Sequence, residues 1–187
     1  MGAPGDESRA FVGLGGNIGD RLQMLRAAAR SLAQDVPRTR VIAASSVYET
    51  RPVGPSTEPF LNAAIELRTE LSPALLLERM LEIEARHGRE RRRKWDARTL
   101  DLDLLVVQRW GPSGWEAWVV DEGGDGLVLP HPRVTERDFV LVPLGELVGD
   151  EALVGGRAPG EWLAAVEAEE RTVLRRLEEG LIEGSGG

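Results

Sequence analysis

The order in which apolar periodicities change along the chain is its tightest constraint. Arg9 to Leu14 (RAFVGL) is a short apolar run that leads into the glycine cluster GLGGNIGD. From Asp20 onward, Leu22, Leu25, Ala29 and Leu32 recur at helical spacing, and Pro37 closes that segment. Thr39 to Tyr48 is rich in Val, Ile and Ser, and Leu61, Ala63, Ile65 and Leu67 alternate, so two strands follow. Ser72 and Pro73 form an N-cap and first helical position for a helix through Leu76, Met80 and Ile83 that stops near Gly88. Leu100 to Val107 (LDLDLLVV) is the next β-type run. Strand, helix, strand, strand, helix, strand is the order of a split βαβ unit. It predicts an α+β, ferredoxin-like βαββαβ antiparallel sheet with both of these helices on one face.

Beyond that frame, Gln108 to Gly126 is rich in Gly and Trp and reads as a hairpin or insertion. Trp162, Val166, Val173, Leu174, Leu177 and Leu181 fall on one face of an expected C-terminal helix. At 187 residues the chain suits a single domain over 1–187, with 1–8 and 183–187 expected to be flexible. The absence of Cys excludes disulfide scaffolds, thiolate catalysis and Cys-ligated zinc, and two His exclude a His-rich metal site. MGAPGDESRA has no apolar signal region, and no apolar stretch approaches the roughly 20 residues of a membrane span. The expectation is a soluble, cytoplasmic protein without a membrane partner. A net charge of -8 argues against a general nucleic-acid binder. One window departs from that average: Arg86 to Arg98 (RHGRERRRKWDAR) sets seven Lys or Arg against Glu90 and Asp96.

The sharpest chemical feature is Asp101-Leu102-Asp103 inside an apolar run. In a strand, residues i and i+2 share a face, so both carboxylates stand together while Leu100, Leu102 and Leu104 face the core. Two ionised carboxylates repel unless a cation lies between them. A pair of oxygen ligands suits Mg²⁺, which keeps waters and takes phosphate oxygens as further ligands. The bland reading, one Asp capping backbone and the other solvated, stands equally on spacing alone. Arg89, Arg91, Arg92, Arg93, Lys94 and Arg98 precede this strand, and guanidinium forks can hold phosphates bidentately. The alternative for each single Arg is a solvated charge at a helix C-terminus. Gly13, Gly15 and Gly16 read as a tight turn that lets backbone approach a ligand, since no acidic residue follows at dinucleotide-fold spacing. TRPVGPSTEP, with three Pro, reads as a ten-residue loop of the length that usually has a function. His131, in LPHPRV, is either an ordinary histidine or a donor to an anion.

Several of these segments together resemble one family. FVGLGGNIGDR, SSVYETRPVGP, PFLNAA, KWDARTLDLDLL and LPHPRVTERDFVLVPL, from about Phe11 to Leu144, are similar in order and spacing to 6-hydroxymethyl-7,8-dihydropterin pyrophosphokinase of folate biosynthesis. The resemblance implies a ferredoxin-like α+β fold and transfer of the ATP diphosphoryl group to the pterin hydroxymethyl oxygen, with AMP released. It implies two Mg²⁺ ions on Asp101 and Asp103, and catalytic-loop arginines at Arg89 and Arg98. ATP contacts fall on Arg91, Trp95, Arg98, His131 and Arg137. The pterin slot falls on Phe60 and Phe139 as stacking rings, with Asn62 and the backbone around Thr50 and Val53 at the polar edge. Gly16, Asp96 and Phe60 depart from the family's usual Ser, Gly and Tyr. The implied partners are ATP and a reduced pterin, with no nucleic acid; a monomer is expected, with association among folate-pathway enzymes a further expectation. Two rival classes remain on the residues alone. One is an RNA-recognition module of the same topology; the other is a D-x-D nucleotidyltransferase or nuclease.

Overall fold

The computed structural model describes residues 7–53, 57–88, 99–121 and 126–182. Its strands are β1 (Ser8–Gly16), β2 (Thr39–Ala44), β3 (Tyr48–Thr50), β4 (Phe60–Thr69), β5 (Asp101–Gly111), β6 (Gly114–Ala117) and β7 (Val173–Arg176). Its helices are α1 (Arg21–Gln34), α2 (Pro73–Arg86), α3 (Asp138–Val148) and α4 (Pro159–Ala165). The strands form one antiparallel sheet in the order β6-β5-β1-β4-β3-β7, with β2 also paired to β4. The βαββαβ order is present, the predicted Ser72 cap is realised, and α1 is capped as well. Asp20 accepts from the Gln23 N–H at the start of α1, and Ser72 accepts from the Leu75 N–H with Pro73 opening α2.

β1 is central and buried on both sides. Ala10, Val12 and Leu14 pack with α1, through Leu25, Ala28, Ala29 and Leu32, and with α2, through Leu76, Met80 and Ile83. Phe11 points the other way, into a smaller cluster with Leu105, Val140, Leu144 and Leu153. Thus α1 and α2 share one face as expected, while α3 covers part of the other. The uncovered remainder of that second face is where the cavity lies.

Four local readings need correction. The predicted strand over Thr39–Tyr48 is broken into β2 and β3, because Ser45 turns its side chain into the ladder. The Ser45 hydroxyl accepts from the Ala64 N–H at 2.9 Å, a bond a backbone carbonyl would otherwise make. The glycine cluster is not a tight turn at its start: Gly13, Gly15 and Gly16 belong to β1, and only Gly19, at φ 67°, takes the left-handed conformation of a turn. Ser8, expected in a flexible terminus, is already in β1, paired with Thr69 and Arg109.

The long C-terminal helix is absent. α4 stops at Ala165, Val166 is extended, and after a 3-10 turn at Ala168–Glu170 the chain forms β7. Two long-range demands override the helical spacing. The outer edge of β3 is unpaired without β7, and Asp138 offers a carboxylate to the Thr172 and Val173 N–H groups. The 108–126 segment is a hairpin as expected over its first part, β5 returning through Gly111 and Gly114 into β6. Residues 183–187 lie outside the described residues.

Candidate active site

Register on the open face builds the site. Asp101 pairs with Gly15, and Asp103 with Gly13, across β5 and β1. On the other side of β1, Gly15 pairs with Asn62 and Gly13 with Ala64 of β4. Directly paired residues share a face, so a row runs from Asp101 over Gly15 to Asn62, and a second from Asp103 over Gly13 to Ala64. The strands are about 4.8 Å apart, so Asp101 and Asn62 stand about 10 Å apart with no side chain between them. A Cβ at Gly15 would meet Asn62 Oδ1 at 3.0 Å, and one at Gly13 would meet Leu105 Cδ1 at 3.3 Å. The glycines form the floor of a trough.

That trough belongs to a cavity of about 480 Å³. One end holds Asp101 and Asp103 with His131, Arg133 and Arg137; the other holds Thr50, Val53, Phe60, Asn62 and Phe139. All nine described residues expected at the site therefore line one space. Arg89, Arg91, Trp95 and Arg98, together with Asp96, lie outside the described residues.

Each wall has its own support. At the acidic end, the buried Glu84 carboxylate on α2 accepts the Leu102 N–H at 2.7 Å, fixing backbone between the two aspartates. Leu102 and Leu104 are buried beneath, so the alternation read from sequence holds. His131 follows β5 through its own N–H, which donates to the Leu105 carbonyl at 2.7 Å. Its Nδ1 accepts the Arg133 N–H at 3.2 Å, which leaves Nε2 to carry the proton of the neutral ring. Burial above all, then the positive charge of Arg137, pulls the His131 pKa below its ordinary value. Burial, then Arg133, likewise lowers that of Arg137, with Asp103 and Asp101 opposing.

At the other end, Asn62 Nδ2 donates to Thr50 Oγ1 at 2.8 Å, both residues being buried. Arg137 lies 5.4 Å from the Phe139 ring centroid, joining the cationic end to the aromatic one. Glu146 on α3 accepts from Ser46 N at 2.8 Å, Ser46 Oγ at 2.6 Å and the Tyr48 hydroxyl at 3.1 Å, tying α3 to the segment entering β3.

Sequence reasoning did not single out Arg133 or Arg51, although both line the cavity. For Arg133 a signal was available: in HPR it lies two positions from His131, within reach of the same ligand. For Arg51 there was none, since its placement follows from the C-terminal segment. Its side chain donates to the Glu169 and Arg171 carbonyls, and its N–H donates to the Thr172 carbonyl at 2.8 Å.

Two carboxylates suit a divalent ion that takes its other ligands from water and phosphate. Among the described residues no group of three or more His, Cys, Asp or Glu gathers into a complete protein cage. The fold is α+β, and the cavity has the size of a small-molecule site.

The model of the 7,8-dihydro-6-hydroxymethylpterin-pyrophosphokinase family matches residues 11–149. The chain is 45% identical over 161 residues to the 2-amino-4-hydroxy-6-hydroxymethyldihydropteridine pyrophosphokinase of Methylorubrum extorquens, covering 86% of this chain and 94% of that one. It is 43% identical over 139 residues to the Bacillus subtilis protein of the same name, covering 74% and 77%. A solved HPPK-DHPS structure in complex with substrates shares the fold, with a TM-score of 0.61 and 12% identity. That match spans 86% of this chain and 43% of the other. The chain belongs to the 7,8-dihydro-6-hydroxymethylpterin-pyrophosphokinase family and is a diphosphotransferase of folate biosynthesis. Among the described residues, no helix is long and apolar enough to cross a membrane.

Proposed function

We propose that the protein transfers the diphosphoryl group of ATP to the hydroxymethyl oxygen of 6-hydroxymethyl-7,8-dihydropterin, releasing AMP. The observation that carries this reading is the strand register that sets Asp101 and Asp103 across the glycine floor from Asn62. The triphosphate lies along the Asp, His131 and Arg137 end, and the pterin between Phe60 and Phe139, with Asn62 and backbone near Thr50 and Val53 at its polar edge.

In the reaction the hydroxymethyl oxygen bonds to the β-phosphorus as the bond from that phosphorus to the α–β bridging oxygen breaks. AMP leaves with the bridging oxygen, and the hydroxyl proton passes to solvent. Phosphoryl transfer needs little covalent help, so positioning and charge supply most of the acceleration. Asp101 and Asp103 would hold Mg²⁺, two ions in this reading, which would supply neutralisation of the phosphate charge. Neutral His131 offers Nε2–H to a phosphate oxygen. Arg137 supplies positive charge; in the same reading Arg89 and Arg98 neutralise charge developing on the phosphates, and Arg91 and Trp95 contact ATP. The same reading takes 1–187 as one domain of a cytoplasmic monomer. An RNA-recognition role fits poorly, because the open face carries Gly13 and Gly15 between two carboxylates and Asn62 rather than a row of stacking rings.

The test is AMP formation from Mg-ATP with and without the pterin. AMP that appears only with the pterin supports the reading. No AMP, or release of inorganic pyrophosphate, refutes it.

A further inference from the structure

The cavity has two walls on different parts of the chain. β3 and β4 bring Thr50, Phe60 and Asn62; α3 brings Arg137 at its N-cap and Phe139 in its first turn. Between Arg137 and Phe139 sits Asp138, 2% exposed, whose side chain turns away from the cavity toward the C-terminal segment. Its Oδ2 accepts from Thr172 N at 2.5 Å and Val173 N at 2.7 Å, and its Oδ1 accepts from Thr172 Oγ1 at 2.6 Å. Thr172 is held from the opposite side as well, its carbonyl accepting the Arg51 N–H one residue after Thr50. Val173 then pairs with Thr50 as β7 joins β3.

We infer that Asp138 and Thr172 are positioning residues for substrate binding, the C-terminal segment serving as a brace that sets the spacing between the two walls. This rests on the proposed reaction and adds to it residues that touch neither substrate. Three accepted hydrogen bonds converge on one buried carboxylate, and its backbone lies between the residue assigned to the phosphates and a ring of the pterin slot. Loss of the brace lets Arg137 and Phe139 move together relative to Thr50 and Phe60, so affinity for both substrates falls. An Asn at 138 keeps the pattern: its carbonyl oxygen accepts both backbone N–H groups, and its amide donates to the Thr172 hydroxyl, which accepts as readily as it donates.

The test compares Asp138→Ala, Asp138→Asn and Thr172→Val in the full chain. KM for pterin and ATP, kcat and amide hydrogen exchange over 137–141 and 171–176 are the readouts. Asp138→Ala is expected to raise both KM values about ten-fold or more, with kcat changed less than three-fold. Asp138→Asn should stay within about three-fold of the parent, and Thr172→Val should fall between. Should Asp138→Ala fail to fold, Thr172→Val, which leaves both backbone bonds, carries the comparison: a KM rise for both substrates supports the brace, and unchanged KM overturns it. A fall in melting temperature with unchanged KM in Asp138→Ala, or equal damage from Asn and Ala, also overturns it. If the parent forms no pterin-dependent AMP, the proposed reaction has failed, and exchange still decides the brace. Protection at 137–141 lost in Asp138→Ala and kept in Asp138→Asn supports it, and protection unchanged in both refutes it.

Discussion

The bond between Asn62 and Thr50 gives a direct measure of how the pterin end is held. Thr50→Val keeps shape and branching but removes the acceptor that Asn62 Nδ2 reaches at 2.8 Å. Thr50 is 1% exposed and Asn62 9%, so water does not readily replace it. Leaving a buried donor unpaired costs about 1–3 kcal/mol, more than the net value of a neutral bond. For a domain of this length, each 1 kcal/mol moves the melting midpoint roughly 2–4 °C, which gives a fall of about 2–12 °C. The amide also loses the bond that fixes its orientation at the pterin edge, so KM for the pterin should rise several-fold while KM for ATP stays near its parent value. Melting curves and initial rates on Thr50→Val, Asn62→Ala and the double variant complete a cycle. The two changes should be less than additive, with a coupling of about 0.5–1.5 kcal/mol. Strict additivity, or a Thr50→Val midpoint within 1 °C of the parent, would show that the contact does not hold the wall.

Three further outcomes are expected. Asp101→Asn and Asp103→Asn should each lower AMP formation at least about 100-fold while circular dichroism shows the fold retained; rates within ten-fold of the parent would reject the metal role. His131 has its pKa lowered from 6.5 by burial first and Arg137 second, so as pH falls below 6.5 the unfolded chain takes up a proton that the folded one resists. Stability should therefore drop with acidification from about pH 6.5 downward, more steeply in the parent than in His131→Gln; parallel melting profiles would refute this. Far from the cavity, Arg9 donates to Glu66 at 2.9 Å and to Glu151 at 2.6 Å and lies 4.7 Å from the Phe11 ring centroid. Arg9→Met should cost about 3–5 kcal/mol by stranding the buried Glu66 carboxylate, with kcat unchanged when assayed below the lowered melting range; a small loss would mean that Arg68, 3.6 Å from Glu66, compensates.

Local chemistry made much of this readable. Ser72 marks a helix start because its side chain satisfies an N–H group within three residues, and Asp101-Leu102-Asp103 shows its two faces because strand alternation is local. What escaped reading depends on partners far along the chain. Nothing between residues 162 and 181 says that Asp138 will accept the Thr172 and Val173 N–H groups, so the apolar spacing passed for a helix. Ser45 breaks a strand only because Ala64 presents its N–H there. The glycines were read as a turn and stand instead within β1; their place opposite the two aspartates exists only once β1 and β5 pair.

The glycine floor bears on how the protein would answer an inhibitor. A compound lying flat along Gly13 and Gly15 touches main chain, which no codon change alters in kind. The smallest replacement, alanine, would place a methyl group 3.0 Å from Asn62 Oδ1 or 3.3 Å from Leu105 Cδ1, narrowing the space the natural substrates need by as much as it narrows the drug's. Resistance would have to arise at the walls, at Val53 or Phe139, and a ligand anchored to the floor would retain most of its contacts against such variants.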